Sequence, residues 1–261
     1  MSYSETERRD LLDAITDIAD RAGKLVMEVY ATDFDVRRKE DASPVTEADE
    51  RAEALILPAL RDLLPGVAAI GEEAAAQGRD ETVKGTSFWL VDPLDGTKEF
   101  LRRNGEFTVN IALIENGAPV LGIVAAPAVD RAFRACGPGT AEKREDDKAW
   151  TAISARDIPD TGAIVVSSRS HGDKDKLEAL LAGMKVGGHV TAGSSLKFCL
   201  VAAGDVDFYP RYGPTCEWDT AAGHAVLIGA GGSVRTLDGA DLDYGKSGGW
   251  LNPEFIARGL E

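Results

Sequence analysis

Acidic side chains recur in this sequence where an apolar run ends or a helix begins. The most pronounced case is Trp89-Leu90-Val91-Asp92-Pro93-Leu94-Asp95-Gly96-Thr97-Lys98-Glu99-Phe100. An apolar strand ends in Asp92, Asp95 follows three residues later, and Pro93 and Gly96 shape the turn. Two carboxylates and an intervening carbonyl can then point at one spot, the donor set that a hard divalent cation takes. The competing reading is a strand–turn–helix junction in which Asp95 caps the next helix. Glu72 and Glu73 follow Gly71 after the short apolar run Val67 to Ile70, and α/β proteins place their sites at such strand ends. Thr46-Glu47-Ala48-Asp49 opens a helical run and reads on its own as a capping box. Asp219 stands where a helix of small residues, Thr220-Ala221-Ala222-Gly223, begins, and a cap is the plain alternative there too.

Other chemistries are poorly served. Cys136, Cys199 and Cys216 form no CxxC pair, and His171, His189 and His224 are isolated with no HExxH among them. Neither a disulfide framework nor a thiolate zinc site follows, so a bound metal would have mainly oxygen ligands, which favours Mg²⁺, Mn²⁺ or Ca²⁺. The 261 residues include 29 Lys and Arg against 44 Asp and Glu, a formal net charge of -15. That balance argues against a nucleic-acid polymer as partner and against adsorption to an anionic membrane. Most of the excess acid reads as a solubility feature, with a few carboxylates left to converge on a cation. No basic-then-apolar leader opens the sequence, and the longest uncharged stretches, 116–129 and 220–234, are too short to span a bilayer. The expectation is a cytoplasmic protein.

The elements that must position these acids can be read from periodicity. Residues 5–30 carry apolar side chains at helical spacing, and a second helix places Ala48, Ala52, Leu55, Ile56 and Leu60 inward. Pro58 should kink or end that helix. A polar loop, 37–44, joins the two. Strands are expected at 67–70, 88–91, 107–114 and 120–126, the third alternating in character, with Asn116-Gly117 as a hairpin turn. The charged run 142–148 reads as a solvated loop. From near Pro159 the pattern alternates: strand 163–166, helices 173–181 and 196–203, strand 206–209, helix 220–228, strand 234–237. An α/β architecture in two tightly joined halves, 1–158 and 159–261, is expected, with most acids in the first half and Asp219 in the second.

DPLDGTKEF, the preceding GEE and the distant WDTAAGHAVLIGAGG resemble the inositol-monophosphatase superfamily of Mg²⁺-dependent, lithium-sensitive phosphatases. Within it the likeness is to 3'(2'),5'-bisphosphate nucleotidases of the CysQ type, over nearly the whole chain from SPVTEAD onward. The resemblance implies an α-β-α-β-α layered sandwich. It implies that Glu72, Asp92, Asp95, Asp219 and the backbone carbonyl of Leu94 hold two or three Mg²⁺ ions, with lithium inhibiting. Asp49 and Thr97 match the pair that, with Glu72, orients the attacking water. At the substrate stand Glu72, Leu94, Asp95, Gly96, Thr97 and Asp219, while His171, Ser194, Lys197 and Arg211 match positions that meet a nucleotide. Lys98 reads either as a partner for a second phosphate or as a solvated side chain. His189, His224, Cys199 and Cys216 are assigned to packing.

The reaction implied is removal of the 3'-phosphate from 3'-phosphoadenosine 5'-phosphate by metal-activated water, giving AMP and phosphate and clearing a by-product of sulfate assimilation. A small-molecule substrate and a monomer or homodimer go with it. The alternatives are an inositol-phosphate, histidinol-phosphate or sugar-phosphate phosphatase with the same acidic cage, or an inactive regulatory binding module. No acid of the cage is missing, which weighs against the last.

Overall fold

Helix α1 (Glu5–Tyr30) starts at a capping box in which Ser4 Oγ accepts from Glu7 N at 3.3 Å and the Glu7 carboxylate accepts from Ser4 N at 2.8 Å. It buries the stripe Leu12, Ile15, Ala19, Ala22 and Val26. The computed structural model to which it belongs describes residues 3–34, 36–38, 44–79, 82–83, 86–146, 148–169 and 174–260. A small antiparallel pair, β1 (Val36–Arg38) and β2 (Pro44–Thr46), leads to α2 (Glu47–Leu63). That helix runs through Pro58, which therefore does not end it. Then come β3 (Ala68–Gly71), α3 (Glu72–Ala76), β4 (Ser87–Asp95), α4 (Thr97–Leu101), β5 (Thr108–Glu115) and β6 (Ala118–Ala126). β7 (Arg131–Ala135), β8 (Glu142–Glu145) and β9 (Thr151–Ala152) complete a seven-stranded sheet of order β3-β4-β5-β6-β7-β8-β9.

The remaining elements are β10 (Ala163–Ser167), α5 (Lys174–Leu181), β11 (Val186–Thr191), α6 (Leu196–Ala202), β12 (Phe208–Arg211), α7 (Glu217–Gly229), β13 (Ser233–Thr236) and β14 (Phe255–Arg258). Their strands form a five-stranded sheet of order β11-β10-β12-β14-β13. From β10 the chain moves out to β11 and then back across to β12, both parallel to β10. α6 packs on β12 and β14 of this sheet and on β6 of the larger one, so it lies between the two. One core joins α1 and α2 to Trp89, Val91, Val109 and Ile111 on one face of the larger sheet. A second core joins its other face, through Leu90, Ala112 and Val124, to α6, α7 and the smaller sheet. The result is the mixed α/β layered sandwich expected from the resemblance. Among the described residues no helix is long and apolar enough to cross a membrane.

Several local readings need correction. β5 is buried at all eight positions rather than alternating, because helices cover both faces of its sheet. The charged run 142–148 is not all loop: its first part is β8, whose charges find partners across the fold, Glu142 with Arg134 and Arg144 with Asp20. β7 and β11 carry no clear strand signal in the sequence, since Arg131 and Arg134 interrupt one and Gly187 and Gly188 the other. The small residues of α7 have a packing purpose. A Cβ on Gly122 of β6 would lie 3.0 Å from both Ala222 Cα and Ala225 Cβ, so this helix rests almost on the strand backbone.

Candidate metal centre

In a regular strand, residues three apart point to opposite faces. β4 escapes this at its end: Asp92 pairs with Asn110 and Asp95 with Thr108, so one extra residue bulges from β4 between them. Asn110 and Thr108 are two apart and share a face, and the bulge brings Asp92 and Asp95 onto that same face. Pro93 sits within the irregularity, where no ladder donor is required. β3 lies parallel to β4 with Gly71 opposite Val91, which sets Glu72 beside Asp92. α7 packs against β4, β5 and β6, and carries Asp219 to the same place from the other direction. Glu72, Asp92 and Asp219 each offer an oxygen within 4.8 Å of the others.

Asp92, Asp219, Asp95 and Asp49 are each held by donors of their own. Asp92 Oδ1 accepts from Leu94 N at 3.0 Å, and Asp219 Oδ2 accepts from Thr215 Oγ1 and Cys216 N, both at 2.8 Å. Asp219 is the third residue of α7 and Cys216 its cap, so Asp219 both closes a capping box and faces the cluster. Asp95 does not cap α4: Gly96 precedes that helix with no side-chain cap bond. Its Oδ2 accepts instead from Ser195 N at 2.6 Å, and Ser195 Oγ lies 2.7 Å from Asn110 Oδ1 and 2.8 Å from Thr108 Oγ1. Asp49 is buried; its Oδ2 accepts from Thr46 N and Oγ1 as in a capping box, and its Oδ1 accepts from Thr97 Oγ1 at 3.3 Å. The Thr97 hydroxyl also lies 3.4 Å from the Leu94 carbonyl. Thus the capping reading of Asp49 is correct and incomplete.

The electrostatics oppose ionisation of Asp92 and Asp95. Burial above all, with the charges of Glu72, Asp95 and Asp219 behind it, raises Asp92 well above the usual carboxylate range. Asp95 is raised to about 7, again by burial first and then by Asp219, against the pull of Lys197 and the Ser195 amide. Buried carboxylates that repel one another fit a hard cation, whose charge removes the penalty. The donors are oxygens, and among the described residues no histidine lines the cavity beside them.

That cavity has a volume of about 370 Å³. Glu72, Asp95, Gly96, Thr97 and Asp219 line it, and so do Ser194, Lys197 and Arg211. Lys98 and Ser168 also line it. His171 lies outside the described residues. Lys197 is buried, lies over the Tyr209 ring at 5.2 Å and donates to the Ser194 carbonyl at 2.5 Å; burial pushes it down to about 8, opposed by Asp95. Arg211 donates from Nε to the Gly213 carbonyl and from Nη2 to that of Pro214. Among the described residues the Ser194 hydroxyl is buried without a hydrogen-bond partner, and the residue holds φ +44°. Supporting groups not singled out from the sequence are Ser195, Asn110, Thr108 and Thr215, common residue types whose importance arises only from distant neighbours.

A sequence profile of the inositol monophosphatase family matches residues 7–259. The chain belongs to the inositol monophosphatase family. Members of this family are in general Mg²⁺-dependent phosphatases, and the chain is a phosphoric monoester hydrolase. Among its relatives in the family, the 3'(2'),5'-bisphosphate nucleotidase CysQ of Salmonella typhimurium is 47% identical over 251 residues, covering 94% of this chain and 98% of the relative. CysQ of Escherichia coli K12 is also 47% identical, over 249 residues and the same shares. The crystal structure of CysQ from Bacteroides thetaiotaomicron superposes with TM-score 0.79 at 34% identity, covering 97% of this chain and 98% of the other. The inositol monophosphatase of Anabaena gives 0.75 at 25% identity, with 97% and 91% covered.

Proposed function

We propose that this chain is a 3'(2'),5'-bisphosphate nucleotidase that removes the 3'-phosphate of 3'-phosphoadenosine 5'-phosphate. The likeness to the CysQ proteins supports the substrate class. The meeting of Glu72, Asp92 and Asp219, from three separate elements, is the observation that carries the chemistry. Glu72, Asp92, Asp95, Asp219 and the Leu94 carbonyl hold two or three Mg²⁺ ions, and Li⁺ inhibits. When bound, Mg²⁺ offsets the charge of the phosphate dianion and of the leaving oxygen and makes water a better nucleophile at neutral pH.

The chain's own groups do the rest. Asp49, fixed by Thr46, accepts the Thr97 proton at Oδ1 and so turns the Thr97 hydroxyl lone pairs toward the cavity, where they orient the attacking water. A Glu72 oxygen takes the water proton as the new P–O bond forms and the bond from phosphorus to the ribose 3'-oxygen breaks; the departing 3'-oxygen takes a proton from solvent water and becomes the 3'-hydroxyl of AMP. Backbone N–H groups of Gly96 and Thr97 meet phosphate oxygens. Ser194, Lys197 and Arg211, which line the same cavity, face the nucleotide, so a substrate with two phosphates meets cationic as well as acidic groups. Cations are outnumbered in this chain, which makes their presence in this cavity a specificity feature.

The test compares phosphate release from adenosine 3',5'-bisphosphate and from myo-inositol 1-phosphate, with Mg²⁺ and with EDTA. The nucleotide should be preferred and both rates should vanish in EDTA. Preference for inositol 1-phosphate overturns the nucleotide reading, and release that persists in EDTA overturns the metal.

A further inference from the structure

Glu217 lies two residues before Asp219, is fully buried and does not line the cavity. Its carboxylate is grasped by a single loop: Gly245 N donates to Oε2 at 2.6 Å, and Lys246 donates to Oε1 from N at 3.2 Å and from Nζ at 2.5 Å. Lys246 Nζ also donates to the Asp243 carbonyl at 2.9 Å and to Asn252 Oδ1 at 3.1 Å, which uses all three ammonium hydrogens. Asn252 carries the constraint onward. Its Nδ2 donates to the Cys216 carbonyl at 2.8 Å and to Thr220 Oγ1 at 3.0 Å, and its backbone N donates to the Thr215 carbonyl at 2.9 Å. Glu217 N in turn donates to the Trp250 carbonyl at 2.8 Å. Thr215 and Cys216, held in this way, are the two residues whose Oγ1 and N fix Asp219 Oδ2.

We infer that Glu217 and Lys246 are positioning residues: the ion pair between the buried Glu217 carboxylate and the half-buried Lys246 anchors the strap 243–252, which sets the orientation of Asp219 toward the metal cluster. The physical case rests on what the pair costs. Burying the Glu217 carboxylate is expensive even with Lys246 beside it, and where packing is the sole need an apolar pair of similar volume does as well or better. What an ion pair with five directional bonds adds is a unique geometry, and here the path through Asn252 ends on Thr215, Cys216 and Thr220, the residues around Asp219. Partners that orient a metal-binding side chain act in this way at other metal sites, and losing one costs about 10- to 100-fold in metal affinity or activity.

The inference rests on the proposed metal role of Asp219, and the experiment separates the two. Mg²⁺ binding to the purified protein is measured by isothermal titration calorimetry below the melting range, and melting is followed in EDTA. Lys246→Met should weaken Mg²⁺ binding by about 10-fold or more, and Lys246→Arg, which keeps the charge, should recover part of the loss. The double variant Glu217→Gln/Lys246→Met leaves no unpaired buried charge and carries the same test should Lys246→Met fail to fold. A purely structural pair would lower the melting temperature in EDTA and leave the Mg²⁺ dissociation constant unchanged. That outcome, in either variant, overturns the inference. Wild-type protein that binds no Mg²⁺ overturns the metal role of Asp219 itself and the inference with it.

Discussion

Asp95 ionises against its surroundings, and this gives its replacement two opposite effects. Its pKa in the fold is raised to about 7 by burial and by Asp219, from an ordinary 3.8. A carboxyl raised in this way destabilises the metal-free fold wherever the unfolded chain is already ionised, so stability falls as pH rises from about 4 through about 7. Asp95→Asn should therefore raise the melting temperature in EDTA at pH 7.5 and flatten its decline between pH 4.5 and 7.5. The same variant should lower Mg²⁺-dependent phosphate release by more than the ~100-fold typical of an outer partner of a metal site. A variant as active as the wild type would remove Asp95 from the cage. The acids themselves were legible in the sequence because their types and spacing are chemically unusual. Ser195, 100 residues away from Asp95, was not, since one serine amide among many carries no mark until tertiary contact selects it. For Asp49 the local pattern was read correctly as a cap, and only the fold adds Thr97 to it.

Strands and turns decide whether those acids can meet. The hairpin at Asn116-Gly117, with φ +52° and +81°, and the full extent of α1 follow directly from sequence signals. The end of β4 does not: Asp-Pro reads as the end of a strand, whereas a bulge lets the strand continue past Pro93 to Asp95. Directly after it, Gly96 has φ +90°, and a Cβ there would lie 3.2 Å from the Glu106 carbonyl oxygen. Gly96→Ala should cost about 1–3 kcal/mol, the range for a non-glycine residue forced into a strained conformation, measurable as a lower urea midpoint. Because this turn aims Asp95 and Thr97, activity should fall in the variant even under conditions where it is fully folded. Gly117→Ala supplies the control, with a comparable φ of +81° in a hairpin at the other end of β5. It should lose stability and keep its rate per folded molecule. Equal specific losses in both would show that the Gly96 turn has no special hold on the site.

For the molecule as a whole, pH acts through groups that pull in opposite directions. His224 in α7 is 5% exposed, with Nδ1 3.0 Å from the Tyr244 hydroxyl, and burial pushes its pKa down to about 3. The unfolded chain takes up a proton near pH 6.5 that the fold refuses, so this residue removes stability as pH falls below 6.5, by about 1.4 kcal/mol per unit. The difference in unfolding free energy between wild type and His224→Gln should shift against the wild type by about that slope between pH 6.5 and 5, and a pH-independent difference would refute the assignment. The buried carboxylates run the other way, gaining stability toward acid in the absence of metal. Mg²⁺ removes their repulsion, and it does so at a point to which α3, β4 and α7 each contribute an acid. Because those elements share the core that joins the two sheets, ion binding to the folded form stabilises both sheets together. At a hundredfold excess over its dissociation constant, an ion that binds only the fold adds about 2.7 kcal/mol, or roughly 5–10 °C in Tm for a chain of this size. The rise should appear as one displaced transition by calorimetry, reverse on adding EDTA, and shrink markedly in Asp95→Asn. A Tm indifferent to Mg²⁺ would mean that the carboxylates, though gathered, bind no ion in solution.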